Sequence, residues 1–218
     1  MEAGAGMLYS KQVVDGVVHR HGGAALRDAL AAAAPEQGRT RCAVGAAVVT
    51  PATGGLREFD LIVHTPTPFW PRLIGDQDMS EWASQLRACY TSSAVALQQY
   101  TSNCALWVAI PLLGAGAGGA PVTKAAAAAA AALPHALAAV TQSQPLNQSE
   151  APSSSRSDDR QSVTMCFVFQ STVACRALDE AIQHQRRAEP SLWQDISYPS
   201  VDEVGEASSE QLRGGHIT

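Results

Sequence analysis

The chain has 218 residues, 46% of them apolar, and a formal net charge of -5. That length and apolar content suit one domain with a buried core. The acidic balance, with no compensating basic cluster, excludes non-specific nucleic-acid binding, which needs a basic surface. The five cysteines (Cys42, Cys89, Cys104, Cys166 and Cys175) are scattered, odd in number and mostly set in apolar runs. They read as buried free thiols in a reducing compartment, not as a disulfide framework or a zinc site. No charged n-region precedes an apolar h-region, so no signal peptide is expected. The apolar run near 125–140 is short and broken by Pro134 and His135, so no membrane span is expected either.

Residues 1–12 carry no clear pattern. A helix is predicted from Val13 to Ala34, with Asp15 in its first turn and Val14, Val17, Val18, Leu26 and Leu30 on its apolar face. Gly22-Gly23 weakens its middle, and Pro35 and Gly38 end it. Ala43 to Thr50 and Phe59 to Thr65 read as short buried strands around the turn Pro51-Ala52-Thr53-Gly54-Gly55. Residues 66–80 are a proline-punctuated loop. Glu81 to Tyr100 is a second helix, with Trp82, Leu86, Cys89, Tyr90, Ser93 and Leu97 on one face. Residues 141–162 contain one large aliphatic, Leu146, and read as a disordered insertion. Val163 to Phe169 is a last strand. Thr172 to Arg187 is a last helix, with Val173, Ala177, Leu178, Ala181 and Ile182 inward. Residues 188–218 read as an acidic flexible tail. Helices alternate with buried strands, so the fold class is α/β, layered around one sheet.

The stretch from Cys104 to Ala132 organises the rest. An apolar strand, Cys104 to Ile110, opens through Pro111-Leu112-Leu113 into Gly114-Ala115-Gly116-Ala117-Gly118-Gly119-Ala120-Pro121, and a helix-forming run follows from Val122 to Ala132. Such a loop exposes backbone N–H groups and lets a ligand approach closely. The helix N-terminus behind it adds a partial positive charge. The combination suits a phosphate or diphosphate. Gly114-x-Gly116-x-x-Gly119 has the spacing of a dinucleotide fingerprint, but the acid expected about 20 residues on is absent. The Gly-Lys-Ser/Thr of a P-loop is absent too. A tight strand-to-helix turn that binds nothing is the bland alternative.

Taken in order, six blocks resemble those of the macro domain, the ADP-ribose-binding module. They are Val14-Asp15-Gly16-Val17-Val18-His19-Arg20, Cys42 to Thr50, Leu61-Ile62-Val63-His64-Thr65 with Pro68, Leu86 to Ser93, Ile110 to Gly116 with Gly119 and Pro121, and Val168-Phe169. The resemblance covers residues 13–187. It implies a three-layer α/β/α sandwich with a mixed sheet. The family opens with two strands and an Asn-Ala-Ala-Asn segment that this chain does not match, so an N-terminally incomplete domain is the expectation. Where the family has a first glycine loop, Ser10-Lys11-Gln12-Val13 stands. Where its second loop carries an aromatic, Gly118 stands.

The resemblance gives Asp15 and His19 catalytic roles, positioning water for attack at the distal ribose. It sets Val14, Asp15, Gly114, Ala115, Gly116, Ala117, Gly118 and Gly119 against the ligand, with Phe169 stacked on adenine. Read from the residues alone, Asp15 caps a helix and His19 is an interior histidine, four residues on and therefore on the same face. Phe169 is equally a core aromatic. His64 reads as a core histidine, and His21, His135, His184 and His216 form no constellation. The implied function is ADP-ribose binding, with removal of mono-ADP-ribose from acidic side chains or deacetylation of O-acetyl-ADP-ribose as its enzymatic form. A non-catalytic reader and a degenerate remnant without ligand are the alternatives; an NAD-dependent oxidoreductase rests on the glycine fingerprint alone. The expected partner is ADP-ribose or a mono-ADP-ribosylated protein. No metal, cofactor, nucleic acid or membrane enters this reading, and the expected state is an intracellular monomer, cytoplasmic or nuclear, with an organelle as the open alternative.

Overall fold

The computed structural model describes residues 14–34, 42–71, 75–100, 106–141, 163–169 and 171–198. In chain order the elements are α1 (Val14–Ala33), β1 (Val48–Pro51), β2 (Leu61–His64), α2 (Asp76–Leu97), β3 (Leu106–Pro111), α3 (Val122–Thr141), β4 (Val163–Val168) and α4 (Thr172–Ala188). Short 3₁₀ turns follow at Gly54–Leu56, Gln98–Tyr100 and Pro190–Trp193. The α/β class is as expected. Val13, Cys104, the insertion beyond Thr141 and the tail beyond Tyr198 lie outside the described residues.

β1 and β2 pair antiparallel, Val48 opposite His64 and Pro51 opposite Leu61. β3 and β4 pair parallel, Leu106 opposite Val163 and Pro111 opposite Val168. Both strand directions of a mixed sheet are present, but among the described residues the ladders form two separate pairs.

The main core lies where α3 packs between α2 and α4. Trp82, Leu86 and Tyr90 of α2 meet Leu178 and Ile182 of α4 around the buried alanines of α3. Alanine makes this possible, since interaxial distance falls with the size of the side chains at the contact. Leu30, Ala34 and Cys42 form a smaller cluster with Ala46 and Val48, joining α1 to β1. Gly23 has φ 65 and breaks α1 into two helical pieces. The break brings the 3₁₀ turn against α1, where Thr53 Oγ1 donates to the Gly22 carbonyl at 3.4 Å.

Several sequence expectations are corrected. α3 does not stop before Pro134 but continues to Thr141. Proline removes one helical hydrogen bond and crowds the preceding turn; here Leu133, Pro134 and Ala136 are buried, and packing holds the helix through it. The helix is therefore long and apolar enough to cross a membrane by length and composition, yet half of its most apolar window is buried inside the fold, as in a core helix. β1 begins at Val48, not Ala43, because Gly45 (φ 84) and the Ala46 N–H bond to Ala43 O turn the chain first. α2 starts at Asp76, ahead of Glu81. Val14, Val17 and Val173 are exposed instead of inward, and Cys166 is an exposed thiol. Part of the expected tail is docked: Trp193 is buried in the main core, and Ile196 and Tyr198 pack against it.

Candidate functional site

Because β3 and β4 are parallel and Pro111 pairs with Val168, both chains leave the sheet at one edge. The carboxyl ends of parallel strands are where open α/β folds hold ligands. β3 continues into the glycine loop there, and β4 into Phe169. Leu112 is buried, and the Leu113 N–H donates to the Tyr90 hydroxyl at 3.0 Å. Burial pushes the Tyr90 phenol well above its ordinary pKa, so it stays a neutral acceptor.

The loop is shaped by two glycines. Gly114 has φ 82 and lies over Leu86 and Trp82, and a Cβ on Gly118 would come within 2.9 Å of the Gly114 carbonyl oxygen. Bonds from Gly119 N–H to Gly116 O (3.0 Å) and from Ala120 N–H to Gly114 O (3.1 Å) close the turn. Among the described residues, the N–H groups of Ala115, Gly116, Ala117 and Gly118 donate to no protein acceptor. Gly116 and Ala117 are exposed, just ahead of the α3 N-terminus at Val122. Unused donors and a helix N-terminus together favour an anion. Phe169 stacks on Phe167 (6.1 Å between centroids, 18° between planes) and packs against the main core with Leu113 and Ala115. It is thus partly a core residue and stands at the loop's end of the sheet.

α1 supplies the second group. Asp15 Oδ1 lies 3.4 Å from His19 Nε2, as the four-residue spacing predicts. His19 is 4% exposed, and neither ring nitrogen makes a hydrogen bond within the described residues. Its ring sits 5.7 Å from that of His64. His64 Nε2 is 2.9 Å from Thr50 Oγ1 across the β1–β2 pair. Burial, reinforced by electrostatic repulsion from the neighbouring His19 ring, lowers the His64 pKa to about 4, so His64 is neutral at pH 7. Val14, at 55% exposure, sits at the open start of the same helix.

The segment 65–70 runs between these two groups. Thr65 Oγ1 donates to Ala46 O at 2.8 Å, and Pro66 O accepts from Gly45 N–H (3.2 Å) and from the buried Cys89 thiol (3.4 Å). Trp70 N–H then donates to Gly118 O at 2.7 Å. The candidates are therefore gathered as two groups: Val14, Asp15 and His19 on α1, and the glycine loop with Phe169 at the β3–β4 edge. Thr50, the Tyr90 hydroxyl and Trp70 are supporting residues that the sequence did not single out. Their roles depend on partners 14 or more positions away, for which no local pattern exists. No group of three or more His, Cys, Asp or Glu among the described residues could hold a metal ion.

The Macro domain family profile matches residues 3–129. Among solved structures, an Oceanobacillus iheyensis macrodomain with MES bound is 19% identical over 86% of this chain and 84% of its own, with a TM-score of 0.58. A glycine-to-valine mutant of that macrodomain with ADPR is 17% identical over the same shares, with a TM-score of 0.59. A Trypanosoma brucei macrodomain in complex with ADP is 17% identical over 83% of this chain and 60% of its own, with a TM-score of 0.54. No curated protein matches the chain. At such identities the likeness establishes the fold.

Proposed function

The chain belongs to the macro domain family, and from that membership we propose that it binds ADP-ribose, free or carried on a protein. The observation that carries the reading is the set of N–H groups at Ala115 to Gly118 that find no acceptor among the described residues, set before a helix N-terminus at the carboxyl ends of two parallel strands. They would receive the diphosphate, and Phe169 would lie along the adenine. That similar folds have been solved with ADP and ADPR supports the choice of ligand.

The second reading is hydrolytic: release of mono-ADP-ribose from an acidic side chain, or deacetylation of O-acetyl-ADP-ribose. The Asp15–His19 pair favours it. His19 has its ring nitrogens buried, so in this reading it acts only through its 3.4 Å contact with Asp15 and does not itself touch substrate. Asp15, with 27% of its side chain exposed, would position the water. A well-placed general base contributes about 10²–10⁴-fold.

Ligand binding is tested by thermal shift and calorimetry. ADP-ribose at about 100 times its Kd adds about 2.7 kcal/mol of stability. Gly116→Glu is the informative variant, because a Cβ at Gly116 meets nothing within 4 Å. It keeps the fold and abolishes binding by placing a carboxylate among the phosphate donors. Stabilisation by NADH but not by ADP-ribose would overturn the reading. For hydrolysis, Asp15→Ala retains much of the ADP-ribose affinity and lowers release from a glutamate-linked conjugate by about 10²-fold or more.

A further inference from the structure

The 65–70 segment is tied to the glycine loop where Trp70 N–H donates to Gly118 O at 2.7 Å. The loop in turn closes through Gly119 N–H to Gly116 O at 3.0 Å. These bonds share peptide groups. Gly118 O and Gly119 N–H belong to one peptide; Gly116 O and Ala117 N–H belong to another. The loop peptides are trans, so the carbonyl and the N–H of each point in opposite directions. Trp70 N–H, the Gly118–Gly119 peptide and the Gly116–Ala117 peptide therefore stand head to tail. The end of this relay is the N–H of Ala117, an exposed residue, and that N–H meets no acceptor among the described residues.

The side chain of Trp70 fixes where the relay starts. Its indole meets that of Trp82 edge-on, 4.8 Å between centroids, and packs on the main core. Trp82 is 4% exposed and underlies the loop, its Cζ2 3.6 Å from where a Cβ on Gly114 would stand. Upstream, Pro66 O is held by Gly45 N–H and by the Cys89 thiol. The ring of Trp70 and the loop thus rest on one support. Hydrogen bonds in series polarise one another, which strengthens the donor at the end. Such a donor is worth most to an acceptor oxygen that carries charge.

We propose that Trp70 is a positioning residue of the diphosphate site. Its N–H starts the relay that aims and strengthens the Ala117 N–H, and its ring holds that start in place. Trp70 acts through the loop and not by contact with the ligand. The inference rests on the ADP-ribose reading of the loop. It deepens that reading by assigning part of the affinity for a charged phosphate oxygen to a residue of another segment.

The test uses the full chain, calorimetry with ADP-ribose, and amide NMR of the ligand-free protein. Trp70→Phe keeps the N–H and an aromatic edge toward Trp82. Trp70→Ala keeps the N–H and loses the ring. A third form carries the α-hydroxy analogue of tryptophan at position 70, so an ester oxygen replaces the N–H and the ring stays. ADP-ribose affinity falls about tenfold in the ester form and in Trp70→Ala. Trp70→Phe restores it to within about threefold of wild type. In Trp70→Ala the Ala117 amide proton moves upfield, although a whole peptide lies between it and the lost bond, while amides in the later turns of α3 keep their positions. Where Trp70→Ala lowers the thermal midpoint, the ester form decides, because it retains the ring against Trp82. Wild-type affinity in the ester form, with ADP-ribose binding intact, overturns this inference alone. Failure of the wild type to bind ADP-ribose overturns it together with the reading beneath it.

Discussion

The two strand pairs are supported in different ways. Around β3 and β4 the helices α2, α3 and α4 form a broad apolar core in which Leu86 and Ile182 are wholly buried. Around β1 and β2 the apolar cluster is small, and the buried polar residues His19, Thr50 and His64 stand beside it. The first region is stabilised by apolar burial, which is insensitive to pH, and it carries a loop made of backbone donors. The second depends on a hydrogen bond and on a neutral imidazole, and it carries the titratable candidates. α2 joins them: its Cys89 and Ser92 reach Pro66 O and Gly45 O, while Leu86 and Tyr90 support the glycine loop.

That contrast can be broken most strongly in the apolar region. Leu86→Ala removes a side chain of 0% exposure that also underlies Gly114. Urea unfolding shows a loss of about 3–5 kcal/mol, and ADP-ribose affinity falls with it. Leu30→Ala, in the smaller cluster, costs less, about 2–3 kcal/mol. Equal losses would remove the distinction between the regions.

The polar region shows itself in pH. His64 has a folded-state pKa of about 4 against an ordinary 6.5. A base whose pKa is lowered on folding binds fewer protons in the native state than in the unfolded one. Stability is therefore full above pH 6.5, falls as pH drops toward 4, and has lost about 3 kcal/mol below that. His64→Gln, which can still reach Thr50, flattens this part of the profile. An unchanged slope in that variant would assign the acid sensitivity elsewhere.

The loop offers smaller and sharper tests. Gly118→Ala drives a Cβ toward the Gly114 carbonyl and lowers stability by about 1–3 kcal/mol. Tyr90→Phe leaves the Leu113 N–H without its acceptor, costs about 1–2 kcal/mol and weakens ADP-ribose binding. Gly116→Ala stays within about 0.5 kcal/mol of wild type in stability. A loop that merely turned the chain would show the first two stability losses with no ligand to lose.

Much of this was legible without coordinates where the signal is local. The apolar face of α2, from Trp82 through Leu86 and Cys89 to Leu97, follows from three- and four-residue spacing, and all four are buried. The Asp15–His19 contact follows from the same helical period. Gly22-Gly23 marked the weak point of α1, and the break is at Gly23. Local rules misled where packing overrides them. Proline predicts a helix end, but Pro134 is carried through because α3 is clamped by α2 and α4. Val14, Val17 and Val173 are apolar, yet among the described residues nothing covers the faces they occupy.

The sequence by itself determined the α/β class, the family and the position of the glycine loop between strand and helix, because these depend on residue type and short-range period. Only the tertiary structure decided which loop donors find no acceptor among the described residues, that His19 lies buried against His64, and that Trp70 and Trp82 pack edge-on beside the loop. These properties arise from contacts between distant segments, and burial and desolvation exist only once those segments have packed.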